Sequence, residues 1–271
     1  MQVKGIMKGT KMLDFNYVKA VELAKSHKRL FHYTTFEALN SIISNKSLLL
    51  KRIDKLNDAV ENERLLDLWK KKVFVSCFTY RDYESYFFWQ SYAKGSHEGV
   101  MLSFDSSLMN NMTIHPDAKC QEPELNKYDR TDDSIEFSSL INSYAWGIYD
   151  KSLVDIMYIP RNIKIHNNDN FQGRFKYAEW DMELETRIRI SVRPRCFEAR
   201  TVKTEIEYLT PENEYIFAKL SNDCIEAMSI TLSPFANQEL NKKVNELLIK
   251  NDLYDKIKVK RSVLTKEMNN I

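Results

Sequence analysis

Two periodicities run through the chain, and their succession sketches the fold. Residues 31–34 read as a short apolar strand, and Thr34 followed three positions later by Glu37 is a capping box. It opens a helix whose buried stripe is Leu39, Ile42 and Ile43 and which ends near Asn45. Residues 47–53 form a second apolar strand. Asn57 and Asp58 with Glu61 mark another helix start, carrying Leu65, Leu68 and Trp69 inward. Residues 73–79 read as a strand, residues 83–93 place aromatics at helical spacing (Tyr86, Trp89, then Ala93), and 100–104 is again a strand.

The middle is polar and harder to order. Residues 113–128 are acidic and loop-like, 133–149 carry a helical stripe of Phe137, Leu140, Ile141, Tyr144 and Ile148, and 163–171 are polar. Residues 106–170 therefore read as a helical insertion. From Phe175 a helical turn leads into a strand over 185–192, with Leu184, Ile188, Ile190 and Val192 on one face and Glu183, Glu185, Arg187 and Arg189 on the other. A strand over 224–232, an amphipathic helix from Pro234 to Ile249 and a strand over 256–263 close the chain. The sum is a single α+β domain over residues 1–271.

Composition narrows the function more than the fold. With 43% hydrophobic and 29% charged residues among 271, the chain can build a core. It has no run near the roughly 18 apolar residues of a membrane span and no apolar leader at its start, so a cytoplasmic protein without membrane contact is expected. Cys77, Cys120, Cys196 and Cys224 lie far apart, without CxxC or zinc-ligand spacing, which suits a reducing compartment and no bound metal. Neither GxGxxG nor GxxxxGK[ST] occurs, which disfavours Rossmann and P-loop nucleotide sites. The net charge of +2 hides basic ends (residues 1–52 and 240–266) and an acidic stretch at 117–136. Lys256, Lys258 and Lys260 alternate along the last strand, a pattern that suits either a solvated face or a polyanion such as nucleic acid.

Three places could carry chemistry. His32 lies where a strand runs into a capped helix, a position suited either to ligand binding or to satisfying a backbone group. Glu183, Glu185 and Arg187 share a strand face that is solvent or cleft. A carboxylate there could stabilise a developing oxocarbenium ion while Arg187 orients it or binds phosphate, or the face could hold cross-strand ion pairs worth at most about 1 kcal/mol. Trp89 and Tyr92, behind a strand carrying Ser76 and Cys77, could stack on a heterocycle or simply pack.

Seven landmarks in order carry a resemblance. FHYTT (31–35), LND with Glu61, VSCFT (75–79), WxxYA (89–93), GVMLSF (99–104), WxxExExR (180–187) and the closing KVKRSVL (258–264) resemble a bacterial family of uncharacterised domains, itself remotely similar to DarT-like ADP-ribosyltransferases. The penultimate strand ends here in Leu232-Ser233-Pro234, where that family has Gly-Pro. The resemblance implies a split mixed or antiparallel sheet with flanking helices, NAD as co-substrate, and a nucleic acid or protein acceptor in a toxin or phage-defence setting. By the same resemblance, Glu185 or Glu183 is the catalytic carboxylate, His32 holds the nicotinamide ribose and Tyr92 is the aromatic beside the nicotinamide. Tyr33, Thr34, Ser76, Trp89 and Tyr92 are then expected to bind NAD, and Arg187 or Arg52 should lie at the rim, where a pyrophosphate needs a bidentate cation. A non-enzymatic nucleotide or nucleic-acid binding module is the alternative.

Overall fold

The computed structural model describes residues 23–56, 70–115, 134–135, 146–161, 173–194, 211 and 213–265. In chain order its elements are β1 (Arg29–Thr35), α1 (Phe36–Asn45), β2 (Ser47–Arg52), β3 (Val73–Thr79), α2 (Tyr86–Ser91), β4 (Gly99–Asp105) and β5 (Met112–His115). There follow β6 (Ser134–Ile135), β7 (Trp146–Asp155), β8 (Met157–Ile159), β9 (Phe175–Tyr177) and β10 (Glu185–Pro194). The chain continues through β11 (Tyr215–Leu220), α3 (Asn222–Glu226), β12 (Ser229–Leu232), α4 (Gln238–Lys250) and β13 (Lys258–Arg261). This is an α+β protein whose strand pairing is mixed and mostly antiparallel. Backbone packing divides the chain into two compact units: Met1–Ser26, Leu49–Cys77 and Thr113–Ala218 form the first, and His27–Leu48, Phe78–Met112 and Lys219–Ile271 the second.

In the second unit β1 pairs antiparallel with β4, placing His32 opposite Leu102 and Tyr33 opposite Met101. β4 pairs antiparallel with β12, and β12 parallel with β13. α1 buries Leu39, Ile42 and Ile43 and α4 buries Leu240, Val244, Leu247 and Leu248, the i, i+3, i+4 and i, i+4, i+7, i+8 stripes of amphipathic helices. A separate aromatic cluster joins Tyr33, Phe88, Trp89, Ala93 and Met101.

In the first unit β10 and β7 form a long antiparallel pair interrupted by an irregularity at Ser191–Val192, and β8 pairs parallel with β9. β2 pairs antiparallel with β3, and the Val192 N–H donates to the Lys72 carbonyl just before β3. Ile53, Val73 and Val75 pack together, and Gly173, at φ +70°, would bring an added Cβ within 3.5–3.6 Å of those three side chains. That backbone conformation favours glycine.

Several boundaries differ from expectation, each for a local reason. The cap of α1 is Thr35, whose hydroxyl accepts the Ala38 N–H, because the β1–β4 ladder runs on to Thr35 opposite Gly99 and keeps Thr34 in the strand. Ser221 accepts the Cys224 N–H and caps α3, so the expected strand over 224–232 begins only at Ser229. Asn237, not Pro234, caps α4, with its side chain accepting the Leu240 N–H at 2.9 Å. The helix expected over 133–149 gives way, at the residues described there, to β6 and β7, because β7 pairs with nearly all of β10 and that pairing overrides a helical apolar spacing. The helix expected after Asn57, with Glu61 and Trp69, lies outside the described residues, as do Cys120 and Cys196.

Candidate functional site: the charged cluster at Glu185

Every residue of β10 from Glu185 to Val192 is buried. One side carries Thr186, Ile188 and Ile190, the other Glu185, Arg187 and Arg189. The charged face is therefore covered, rather than open to solvent or to a cleft as the alternation alone suggested. Charges at such depth persist only when paired and hydrogen-bonded.

Glu185 is 4% exposed and meets polar partners on several elements. Its Oε1 accepts from Arg187 Nε at 2.5 Å, and its Oε2 lies 2.7 Å from Lys176 Nζ and 3.4 Å from Arg187 Nη2. The Cys77 thiol on β3 also donates to this carboxylate. The Glu185 N–H donates to the Tyr158 hydroxyl at 2.8 Å, and its carbonyl accepts the Ile156 N–H. Glu183, 2% exposed, joins the same cluster, its Oε2 2.5 Å from Lys176 Nζ. It sits not on the strand but at the end of a 3-10 turn, Ala178–Glu183, and Leu184 between the two carboxylates is left-handed at φ 43°. That conformation is unusual for a side chain of this size and is what turns both carboxylates onto one ammonium. Arg187 Nη1 reaches the Gly173 carbonyl at 3.2 Å, and the Trp180 ring lies 5.5 Å from Lys176 Nζ.

Burial pushes the Glu185 carboxyl up, but the charges of Arg187 and Lys176 outweigh it and hold the group well below the usual carboxylate range. Burial pulls Lys176 down, yet Glu185 and Glu183 leave it raised and charged. Burial and the neighbouring Glu185 push the Cys77 thiol up, so it stays protonated and is a poor nucleophile. Farther along the same face Asp150 Oδ2 accepts from Arg189 Nη1 at 2.5 Å and Arg174 Nη2 at 3.0 Å.

The other expected residues fall in two groups. Within the first unit, Ser76 is buried on β3, and Arg52 is a buried brace whose guanidinium bridges Asp54 and the carbonyls of Pro211 and Asn213. Within the second unit, Tyr33 and Trp89 are core residues at 6% and 0% exposure. The Tyr33 hydroxyl accepts the Ser85 N–H, and burial pushes its pKa up to about 12. Trp89 Nε1 donates to Glu84, whose carboxylate also receives the Ser262 hydroxyl and the Val263 N–H. Tyr92 is exposed and stacks on Phe88. His32 and Thr34 are half-buried on the face of β1 opposite Tyr33, with the imidazole tilted against Phe78. On β13, Lys258, Lys260 and Arg261 are exposed, while the exposed Lys256 pairs with Glu226.

Sequence reasoning missed Lys176 and Tyr158. Their only signal was Lys176 set between Phe175 and Tyr177, a charge in an aromatic setting that invites burial. Among the described residues no group of His, Cys, Asp and Glu is arranged to hold a metal ion, and no helix is long and apolar enough to cross a membrane. Comparison with protein-family models, with curated proteins and with solved structures gave no match.

Proposed function

We propose that the chain is an ADP-ribosyltransferase-like enzyme that cleaves NAD at its nicotinamide–ribose bond and passes ADP-ribose to a macromolecule, nucleic acid or protein, in a toxin or phage-defence setting. The observation that carries this reading is Glu185: a buried carboxylate kept ionised and fixed in direction by Arg187 and Lys176. NAD would supply a leaving group whose departure builds positive charge on the ribose. A preorganised carboxylate in a water-poor setting is the kind of group that stabilises such charge. Arg187 orients Glu185 through Nε and Nη2, and Tyr158 pins its backbone, so the carboxylate needs no reorganisation as charge develops. Cys77, kept as a thiol, serves as a hydrogen-bond donor rather than a nucleophile. Glu185 takes the catalytic role in this reading because Arg187, Lys176 and Tyr158 hold it together.

The test is nicotinamide release from NAD by the purified chain, alone and with DNA, RNA or protein acceptors. Glu185→Gln should reduce turnover roughly a hundredfold, measured where the variant is folded. His32→Ala tests separately the ribose contact that the resemblance gives the imidazole. Full turnover in folded Glu185→Gln would sink the assignment. A second reading, a non-enzymatic nucleotide or nucleic-acid binding module, is favoured by the low exposure of Glu185 and by the exposed Lys258, Lys260 and Arg261 on β13. It takes over if the wild-type chain binds nucleotide or nucleic acid yet releases no nicotinamide with any acceptor.

A further inference from the structure

Lys176 meets both carboxylates of the cluster, and its contact with Glu183 has no part in the reading above. β8 and β9 are only three residues long, yet their parallel register sets Tyr158 directly beside Lys176. The two side chains then act on the same residue: the Tyr158 hydroxyl takes the Glu185 backbone N–H, and the Lys176 ammonium takes Glu185 Oε2. On its other side the ammonium holds Glu183 Oε2, and the left-handed Leu184 is what lets two carboxylates separated by one residue meet it. Arg187 Nε meanwhile engages Glu185 Oε1. Arg187 thus reaches both oxygens of Glu185, Oε1 closely through Nε and Oε2 at 3.4 Å through Nη2, while Lys176 takes Oε2 at 2.7 Å, and the two cations together fix the plane of the carboxylate.

We propose that Lys176 is a positioning residue for Glu185: by bridging Oε2 to Glu183 it locks the carboxylate plane and, together with Arg187, keeps the group charged. The proposal rests on the transferase reading for its catalytic consequence, but its structural content can be read without any activity. The charged and titratable groups facing Glu185 are Arg187 on β10, Lys176 on β9, Glu183 on the preceding turn, Tyr158 on β8 and Cys77 on β3. Of these, only Arg187 and Lys176 are cations, so neutralising Lys176 leaves Arg187 alone against burial and the Glu183 charge.

The experiment compares wild type, Lys176→Met and Lys176→Arg, each labelled with carbon-13 at glutamate carboxyls. In the wild type the Glu185 signal should not titrate across the acid range in which the chain stays folded. Lys176→Met should bring its titration into that range, and Lys176→Arg should not. If the chain releases nicotinamide, Lys176→Met should also lower kcat tenfold or more and move the acid limb of its pH profile upward, with Lys176→Arg restoring both. A folded Lys176→Met whose Glu185 signal stays ionised as in the wild type overturns the proposal. Should Lys176→Met fail to fold, nitrogen-15 lysine spectra of the unaltered chain decide. A slowly exchanging ammonium coupled across hydrogen bonds to the carboxyls of Glu183 and Glu185 upholds the proposal, and a freely exchanging one overturns it. A shifted carboxyl titration in a chain that never releases nicotinamide upholds the Lys176–Glu185 lock and refutes the transferase reading instead.

Discussion

Replacing Glu185 by Gln should be among the most costly single changes in the first unit. An exposed strand-face carboxylate would contribute at most about 1 kcal/mol, and the variant would be nearly neutral. Glu185 is instead 4% exposed, between an Arg187 that is fully buried and a Lys176 side chain that is 9% exposed. Removing its charge leaves two buried cations facing an amide whose NH2 end repels one of them. Breaking a buried pair from one side costs about 3–5 kcal/mol, which for a chain of this size corresponds to a fall in Tm of roughly 10 °C. The pH dependence supplies a second signature. The Glu185 pKa in the folded chain lies below its ordinary value of 4.5, so its stabilisation is fully present above that value and is lost as the pH falls toward the lower folded pKa. The stability gap between wild type and Glu185→Gln, measured by urea unfolding, should be constant from pH 8 to about 5.5 and then shrink steadily below about 4.5. A gap under about 0.5 kcal/mol at pH 7, or one that stays constant down to pH 3, would show that the buried cluster does not hold Glu185 as its geometry says.

The other expectations are local. Thr35→Ala should cost about 1 kcal/mol and Thr34→Ala clearly less in thermal unfolding, because Thr35 holds the α1 cap; equal losses would contradict the observed cap. Trp89→Ala should cost about 3–5 kcal/mol, since the ring is fully buried, and a loss within 1 kcal/mol would argue against its place in the aromatic cluster. Glu84→Ala should speed hydrogen exchange at Val263 by tenfold or more, because it removes the acceptor of that N–H; unchanged protection would refute the contact. If the chain binds nucleic acid through β13, the double change Lys258→Glu and Lys260→Glu should weaken binding and flatten its dependence on salt, and an unaltered salt slope would remove β13 from the interface.

Where a single element carries its own signal, sequence and structure agree closely. The expected strand over 73–79 matches β3 residue for residue, and the stripes of α1 and α4 are buried as their spacing requires. Disagreement appears where a distant partner decides. Nothing within residues 146–155 announces a strand, and β7 exists because β10 lies beside it. Likewise Thr34 has every local qualification for a cap and loses the role only because β4 extends the ladder one residue further. The strand β11 carries the alternation of a strand but follows residues with no clear signal, and it went unread.

The candidate site shows the same limit in sharper form. Alternation correctly groups Glu185, Arg187 and Arg189 on one side of the strand, though not Glu183, which lies on the turn before it, and a period of two reports only which side chains face together, not what lies over them. A charged face that looks toward water and one that is roofed by Lys176, Tyr158 and Cys77 have identical patterns within the strand itself. The difference lies in β3, β8 and β9, elements separated from Glu185 in sequence. Yet that difference reverses the energetic expectation for Glu185, from nearly neutral to several kcal/mol. It also changes the chemical one. A carboxylate in water exchanges its hydrogen bonds freely, whereas here Arg187 engages both oxygens and Lys176 adds a second cation at Oε2, so any ligand that reaches Glu185 must share Oε1 with Arg187 or compete with both cations at Oε2. On the proposed transferase reading, a positively charged ribose carbon would approach Oε1, the oxygen that carries the fewer cations. The two oxygens of this one side chain are unequal because Oε2 lies beside two cations and Oε1 beside one, so Lys176 can stay in place whichever group meets Oε1.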